Sequence, residues 1–114
     1  MSKDTTKKTK EQRSEQRAER ELADIRFVAK SPEGRRLLWR IMADNNIFHS
    51  SINADAVIMG FTEGRRAAGL SILHDIFSAK PALFGQMQQE HASELKRDEI
   101  IIKTEEEQSD PLSL

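Results

Sequence analysis

The chain has no cysteine and no tyrosine, and it has one tryptophan among its 114 residues. The absence of cysteine excludes a disulfide framework, a thiolate zinc site and a cysteine nucleophile. A composition of 32% charged and 37% hydrophobic residues suits a small helical protein better than a β-sandwich. We therefore expect a single all-α domain in which about 70 to 80 ordered residues surround a modest core.

Long apolar runs are also absent. No stretch approaches the roughly eighteen apolar residues that a membrane-spanning helix needs, and the polar N-terminal segment holds no signal-peptide core. We therefore expect a protein that is made in the cytoplasm and has no membrane segment. The sequence has neither a glycine-rich phosphate loop nor a nucleophile elbow, and we expect no enzymatic activity and no cofactor.

The three histidines give little support for a metal site. His91 and Glu94 stand three residues apart on a predicted helix, a spacing that can present two ligands. His74 lies next to Asp75, which could orient its imidazole, and His49 lies in a predicted loop. These groups supply too few ligands in one predictable place, and we expect no bound metal.

Charge is distributed unevenly along the chain, although the net charge is only −1. Residues 1–30 carry nine Lys/Arg and six Asp/Glu, residues 31–89 carry six and five, and residues 90–114 carry three and eight. The chain therefore has a basic beginning and an acidic end. In a symmetric ring of identical copies, the basic segment of one copy would meet the acidic segment of the next.

The ends of the chain differ from its middle in composition as well. Residues 1–20 are predicted to form a polar, basic tail or an exposed helix, because they hold almost nothing apolar to bury. Residues 104–114 are predicted to form an acidic tail. The helical domain is expected between them, over residues 21–103, as a bundle of three to four helices.

Boundary signals place the first two helices. Ser31 followed by Pro32 is a helix start signal, and Pro32 also disfavours helical geometry at the preceding residue. A first helix is therefore expected to end near Lys30. The second is expected to run from Pro32 to about Asp44, where Asp and Asn residues favour a turn.

The second half of the chain contains two more predicted helices. One long helix is expected to end near Ala79, with Asn53 as its cap or with a new start at Thr62. The last helix is expected to begin at Pro81. Ile100, Ile101 and Ile102 have no obvious core to join, and they are candidates for docking on a partner or on another copy.

Apolar residues at three- and four-residue spacing define the faces that we expect to be buried. The predicted inward residues are Leu22, Ile25, Phe27, Val28, Leu37, Leu38, Ile41, Met42, Ala54, Val57, Ile58, Phe61, Ala68, Ile72, Leu73, Ile76, Phe77, Leu83, Phe84, Met87, His91 and Leu95. The loop of residues 45–53 is expected to be pinned to the core through Ile47, Phe48 and Ile52.

The tetrapeptide Glu-Gly-Arg-Arg occurs twice, at residues 33–36 and 63–66. In a functional interpretation, the arginines bind carboxylates of a partner protein or phosphates of nucleic acid, since guanidinium groups form bidentate hydrogen bonds with both. In the favoured structural interpretation, Glu33 and Glu63 pair with arginines of the opposite copy in a pseudo-twofold hairpin.

Glycines inside a helix cost roughly 1 kcal/mol each relative to alanine, which suggests that they serve another purpose. Gly34 belongs to the first tetrapeptide, and Gly60, Gly64 and Gly69 fall in the predicted long helix. We expect a neighbouring backbone to approach closely at these positions. The residues predicted for partner contact are Arg35, Arg36, Arg65 and Arg66, with Trp39 and Phe48 as packing anchors.

The order of these motifs resembles a family of small virion-associated proteins of short-tailed, podovirus-type bacteriophages. The resemblance rests on Ser-Pro-Glu-Gly-Arg-Arg-Leu-Leu-Trp-Arg at residues 31–40, Ile-Phe-His-Ser-Ser at 47–51 and Phe-Thr-Glu-Gly-Arg-Arg at 61–66. It covers about residues 27–90. The basic beginning and the acidic end of this chain lie outside it.

This resemblance implies a structural piece of the phage particle. The expected partners are other virion proteins, at the portal, in the tail or in the head interior, and other copies of the chain in a homo-oligomer. The protein would be in the host cytoplasm during assembly and then in the virion. The rival hypothesis is a small DNA-associated phage protein, supported by the clustered arginines and opposed by the interleaved acids.

Overall fold

The structure, a computed structural model, describes residues 7–109, which form four helices and no strand. They are α1 (Lys10–Val28), α2 (Pro32–Asp44), α3 (Ala56–Ala79) and α4 (Leu83–Ser109). The predicted all-α class is confirmed. Helix α3 contacts each of the other three helices, and α2 also contacts α4. The outermost parts of both predicted tails, residues 1–6 and 110–114, lie outside the described residues.

Two of the four helices begin at strong capping signals. Thr9 forms a capping box with Gln12: its hydroxyl accepts from the Gln12 amide at 3.1 Å, and its own amide donates to the Gln12 side chain at 2.9 Å. Ser31 caps α2 by accepting from the Gly34 amide at 3.0 Å. The predicted start of α2 at Pro32 is therefore confirmed.

The starts of α3 and α4 differ from the predicted ones by two or more residues. Asp55, rather than Asn53 or a restart near Thr62, caps α3 by accepting from the amides of the next turn. Asn53 instead accepts from the Asp55 amide at 2.8 Å, which shapes the turn that leads into the helix. Residues 81–82 form a turn, and α4 begins at Leu83.

The predicted break after α2 is confirmed. The helix ends at Asp44, and Asn46 has a positive φ of 63°, in the left-handed region that asparagine tolerates better than most residues. The following loop turns back over the core. Ile47 is buried there as predicted, whereas Ile52 is 87% exposed and the prediction that it anchors the loop is wrong.

The core is small and lies where α2, α3 and α4 meet the C-terminal end of α1. Partly buried Ile25, Leu38, Trp39, Leu70, Ile72, Leu73 and Phe84 pack around it. Its buried members are Ala29, Met42, Ile47, Ile76, Leu83 and Met87.

Several residues that were predicted to face the core are exposed. The buried face of α3 follows Gly69 and Ile76, which leaves Ala68 on the outside, about 100° around the helix. The first turns of α3 have no helix over their apolar side. The exposed residues of the predicted inward set are Phe27, Leu37, Ala54, Val57, Ile58, Phe61, Ala68, Phe77 and Leu95.

The molecule is elongated, with extents of 87 × 40 × 18 Å and a radius of gyration of 21.5 Å. A compact chain of this length would have a radius of gyration of about 13 Å. The N-terminal half of α1 and the C-terminal half of α4 consist of exposed residues, which accounts for the length. Residues 104–109, predicted as part of an acidic tail, continue α4.

Candidate docking groove

The first Glu-Gly-Arg-Arg copy connects three helices through Arg35. Its guanidinium donates to both carboxylate oxygens of Glu90 on α4, at 2.7 and 3.1 Å. It also donates to the carbonyl oxygens of Ala29 and Lys30, at 3.0 and 3.3 Å, in the turn after α1. The side chain of Arg35 is only 14% exposed. Arg35 is therefore a structural link within the fold rather than a free cation for a partner.

The two acids of the repeated motif do not pair with the opposite copy. Glu33 lies 3.9 Å from Arg36, and Glu63 lies 3.9 Å from Arg66, each pair on one helix at i,i+3 spacing. The predicted pseudo-twofold pairing is wrong, because an acid on the helix surface reaches the arginine one turn away in its own helix. The first copy instead finds its long-range acid in Glu90 on α4.

The second copy holds the loop that follows α2. Arg65 donates to the carbonyl oxygen of Asp44 at the end of α2. Glu63 accepts from the Ser51 hydroxyl, which belongs to the Phe-His-Ser-Ser loop. Arg66 is partly buried, and its Nε has no hydrogen-bond partner among the described residues. The two identical tetrapeptides thus have different structural roles.

The two motif glycines also differ. A Cβ atom at Gly34 would overlap the Val28 carbonyl oxygen and lie 2.7 Å from the Val28 carbonyl carbon, so α1 and α2 meet here without room for a side chain. A Cβ at Gly64 would meet nothing within 4 Å, and the same holds for Gly60. The predicted close approach is confirmed at Gly34 and wrong at Gly60 and Gly64. At Gly69 the neighbour is the loop, since a Cβ would lie 2.5 Å from the Ile47 side chain.

Trp39 is the centre of an aromatic cluster between α2, α4 and the loop. Its ring stacks on Phe48 at 5.1 Å, on His91 at 4.7 Å and on Phe84 at 5.8 Å between centroids. Offset stacking of this kind contributes roughly 0.5 to 1.5 kcal/mol per pair beyond the area that it buries. The cluster fixes the predicted anchors, Trp39 and Phe48, side by side.

This cluster forms one wall of an open groove between α2 and α4, with a volume of about 860 Å³. We call it the Trp39 groove. Arg36 and Arg40 come from one side of α2, and Arg97 comes from α4. Neither Arg40 nor Arg97 has an ion-pair partner within residues 7–109. The groove therefore combines an aromatic surface with exposed guanidinium groups.

Acidic groups of the groove moderate this positive charge. Glu90 is neutralised by Arg35, whereas Glu94 has no ion-pair partner in the described part of the chain. The sequence interpretation did not single out Arg40 and Arg97 as partner contacts. A signal for Arg40 was present, since Arg36 and Arg40 are four residues apart and flank Trp39 on one helix. No signal connected Arg97 to them.

A second, smaller cavity of about 420 Å³ lies beside the loop and is lined by Glu63, Arg66 and residues 47–52. Phe48 lines both cavities. The predicted contact residues thus lie at three places. Arg35, Arg36, Trp39 and Phe48 lie at the Trp39 groove, Glu63 and Arg66 lie at the second cavity, and Arg65 holds the end of α2.

Residues 7–109 contain no group of three His, Asp or Glu side chains that could hold a metal ion. No helix in the same part of the chain is long and apolar enough to cross a membrane. His91, one of the histidines considered for a metal, stacks on Trp39.

The helices and the groove describe a small all-α protein. The chain belongs to the Bbp19-like phage protein family, whose model matches residues 25–89. The matched part contains both tetrapeptides, Trp39 and the Phe48 loop, and it ends just before Glu90, the partner of Arg35. No curated protein and no solved structure matches the chain.

Proposed function

We propose that this phage protein is a non-enzymatic structural component of the virion and binds other virion proteins. Membership of a phage protein family supports the phage setting. The motif resemblance supports a short-tailed particle, with a position near the portal or in the head interior. In this proposal the protein accumulates in the host cytoplasm during assembly and then enters the particle.

The Trp39 groove is the observation that carries this proposal. Tryptophan and arginine are enriched among the residues that contribute most to protein–protein binding, because they combine large apolar area with directed hydrogen bonds. Trp39 and Phe48 already stack on each other in the unbound chain. Arg40 and Arg97 line the same groove and have no ion-pair partner within residues 7–109. A preorganised surface of this kind loses little conformational entropy on binding.

The balance of buried and exposed apolar residues also supports the proposal that the protein binds a partner protein. Within residues 7–109, only four large side chains are fully buried, namely Met42, Ile76, Leu83 and Met87. Large hydrophobic residues that are at least half exposed include Phe27, Ile52, Val57, Phe61 and the three isoleucines at 100–102. Exposed apolar surface on this scale is typical of a protein that completes its burial in an assembly.

The groove is better suited to docking than to catalysis. Glu90 is held bidentately by Arg35, and His91 is stacked flat on Trp39, so both groups have structural partners. General acid–base catalysis needs such groups to face a substrate proton at hydrogen-bond distance.

Quantitative mass spectrometry of purified phage particles tests the proposal. We expect the protein in the particles, at a copy number that matches a portal or tail symmetry. Protease treatment of intact and emptied particles then separates a head-interior position from an external one. A phage protein needed only for replication provides the control for contamination. Absence of the protein from clean particles would overturn the proposal.

The rival function is association with DNA, because arginines and stacked aromatics also suit phosphates and bases. Glu94 in the same groove opposes it, since its carboxylate has no ion-pair partner within residues 7–109 and would repel a phosphate backbone. Binding of the protein to random duplex DNA, measured over a range of salt concentrations, distinguishes the two. A steep loss of affinity with salt would support the rival, whereas a virion protein-binding component should show no such binding.

A further inference from the structure

The C-terminal half of α4 has an apolar surface with nothing beside it. Ile100, Ile101 and Ile102 are 62%, 52% and 55% exposed. They lie in residues 98–109, which we call the acidic arm, and which carry five Asp/Glu and one lysine. An isolated helix of this length is marginal in water, and three exposed isoleucines add a cost in solubility. The arm has the chemistry of a docking element: apolar residues flanked by carboxylates.

The arm cannot reach the Trp39 groove of its own chain. His91 lines the groove, and Ile101 lies ten residues further along the same uninterrupted helix, α4. At 1.5 Å per residue, that places Ile101 about 15 Å from His91 along the helix axis. A return to the groove would require the helix to break. An acidic arm that occupies the groove must therefore come from another copy of the chain.

We propose that the Trp39 groove of one copy binds the acidic arm of a second copy. This assignment names a partner for the proposed structural component and rests on that function. The argument is charge complementarity combined with apolar match. Arg36, Arg40 and Arg97 face carboxylates of the arm, and the Trp39–Phe48 wall receives its isoleucines.

The basic N-terminal segment is a poorer receptor for the arm. In residues 10–20, three glutamates are interleaved with four cations, and Ala18 is the only apolar residue. That surface offers no apolar contact for the isoleucines. On α3, Val57 and Phe61 are exposed and apolar, but the nearby cations already have partners, since Arg65 donates to the Asp44 carbonyl oxygen and Arg66 lies beside Glu63. At the Trp39 groove the aromatic wall lies beside two guanidinium groups, those of Arg40 and Arg97, that have no ion-pair partner within residues 7–109.

The proposed contact joins two different surfaces, so each copy retains one free groove and one free arm after pairing. Such head-to-tail contacts close into a ring when the rotation between copies is favourable, and otherwise they extend as a filament. A structural component built in this way could form a ring of the symmetry of its attachment site.

Sedimentation velocity of the full chain and two variants tests this arrangement. The groove variant is Arg40→Glu with Arg97→Glu, and the arm variant is Ile100→Asp with Ile101→Asp. We expect the wild type to self-associate with increasing concentration. Each variant alone should stay monomeric, with at least a tenfold higher Kd, because every copy lacks one of the two surfaces. Circular dichroism checks that both variants retain their helices.

The decisive measurement is an equimolar mixture of the two variants. The groove variant has an intact arm and the arm variant has an intact groove, so the mixture should form a 1:1 dimer and nothing larger. Matched controls are Arg17→Glu with Arg20→Glu on α1 and Val57→Asp on α3, which should associate as the wild type does. All these substituted side chains are exposed.

Four results would overturn the proposal. They are a wild type that stays monomeric at every concentration, self-association that survives both variants, a mixture that stays monomeric, and loss of association in either control. Loss in the α1 control would assign the arm to the basic segment, and loss in the Val57 control would assign the contact to α3. Each of these outcomes is independent of whether the protein is found in particles.

Discussion

Arg35 and Arg36 are neighbours in the sequence but differ in what they contribute. The Arg35 guanidinium donates to Glu90 and to two carbonyl oxygens, while Arg36 lies 3.9 Å from an exposed glutamate. We expect a double-mutant cycle of Arg35→Ala and Glu90→Ala to give a coupling energy of about 1 to 3 kcal/mol, because the pair is bidentate and largely shielded from water. The measurement is the free energy of unfolding in urea.

The matched control is the cycle of Arg36→Ala and Glu33→Ala. These side chains are 53% and 74% exposed, and a surface pair at i,i+3 spacing should couple by only a few tenths of a kcal/mol. Equal coupling energies in the two cycles would contradict the assignment of Arg35 as the link between α2 and α4.

The two motif glycines allow a test with the same substitution in the same tetrapeptide. Gly34→Ala should destabilise the protein by about 1 to 3 kcal/mol, because α1 and α2 must separate to admit the new methyl group. Gly64→Ala should stabilise it by up to about 1 kcal/mol, since its Cβ meets open space within a helix. Thermal and urea unfolding give both values. Effects of the same sign would show that the α1–α2 contact is not as close as described.

For individual residues, the sequence indicated which side chains are important to the structure, but it did not indicate which contacts they make. Identical tetrapeptides suggested identical roles and mutual pairing. Their roles differ because the partner of Arg35 is 55 residues away, on α4, which packs against α2. A contact over that distance depends on how helices pack, and a local pattern contains no information about packing.

The helices themselves were largely predictable from local signals. Ser31 with Pro32 placed the start of α2, and the Asp and Asn residues after it placed its end. The buried face of α3 was not predictable in full, because this helix has apolar residues on several sides. The predicted stripe is correct at Ile76, which is buried, whereas its first residues, Val57 and Phe61, are exposed because no helix covers the first turns of α3.

Hydrogen exchange should show how stability varies along α4. In the monomeric arm variant, amides near Leu83 and Met87 should be the best protected, because their side chains are 1% and 2% exposed. Amides of residues 98–109 should exchange within the dead time or close to it, since that half lacks tertiary contacts. In the associated wild type the same amides should become protected. Equal protection along α4 in the monomer would contradict an unsupported arm.

The whole molecule is long and thin, and its core is too small to account for its apolar content. An extent of 87 Å, with few fully buried large side chains within residues 7–109, is consistent with the proposed role as a subunit of an assembly. The sequence anticipated this in part, since the isoleucines at 100–102 had no core to join. The sequence did not indicate that these isoleucines continue α4. Because that helix is uninterrupted, they cannot fold back into the Trp39 groove of their own chain.

Cross-linking within purified particles tests the central claim most directly. Because the chain has no native cysteine, only the introduced cysteines can form disulfides in it. Phage carrying the chain with Arg40→Cys and Ile101→Cys together would be purified and mildly oxidised. The account predicts a ladder of cross-linked copies from the double variant, and no ladder from either single variant. A single band of uncross-linked protein, from particles shown to contain it, would contradict docking of the acidic arm in the Trp39 groove.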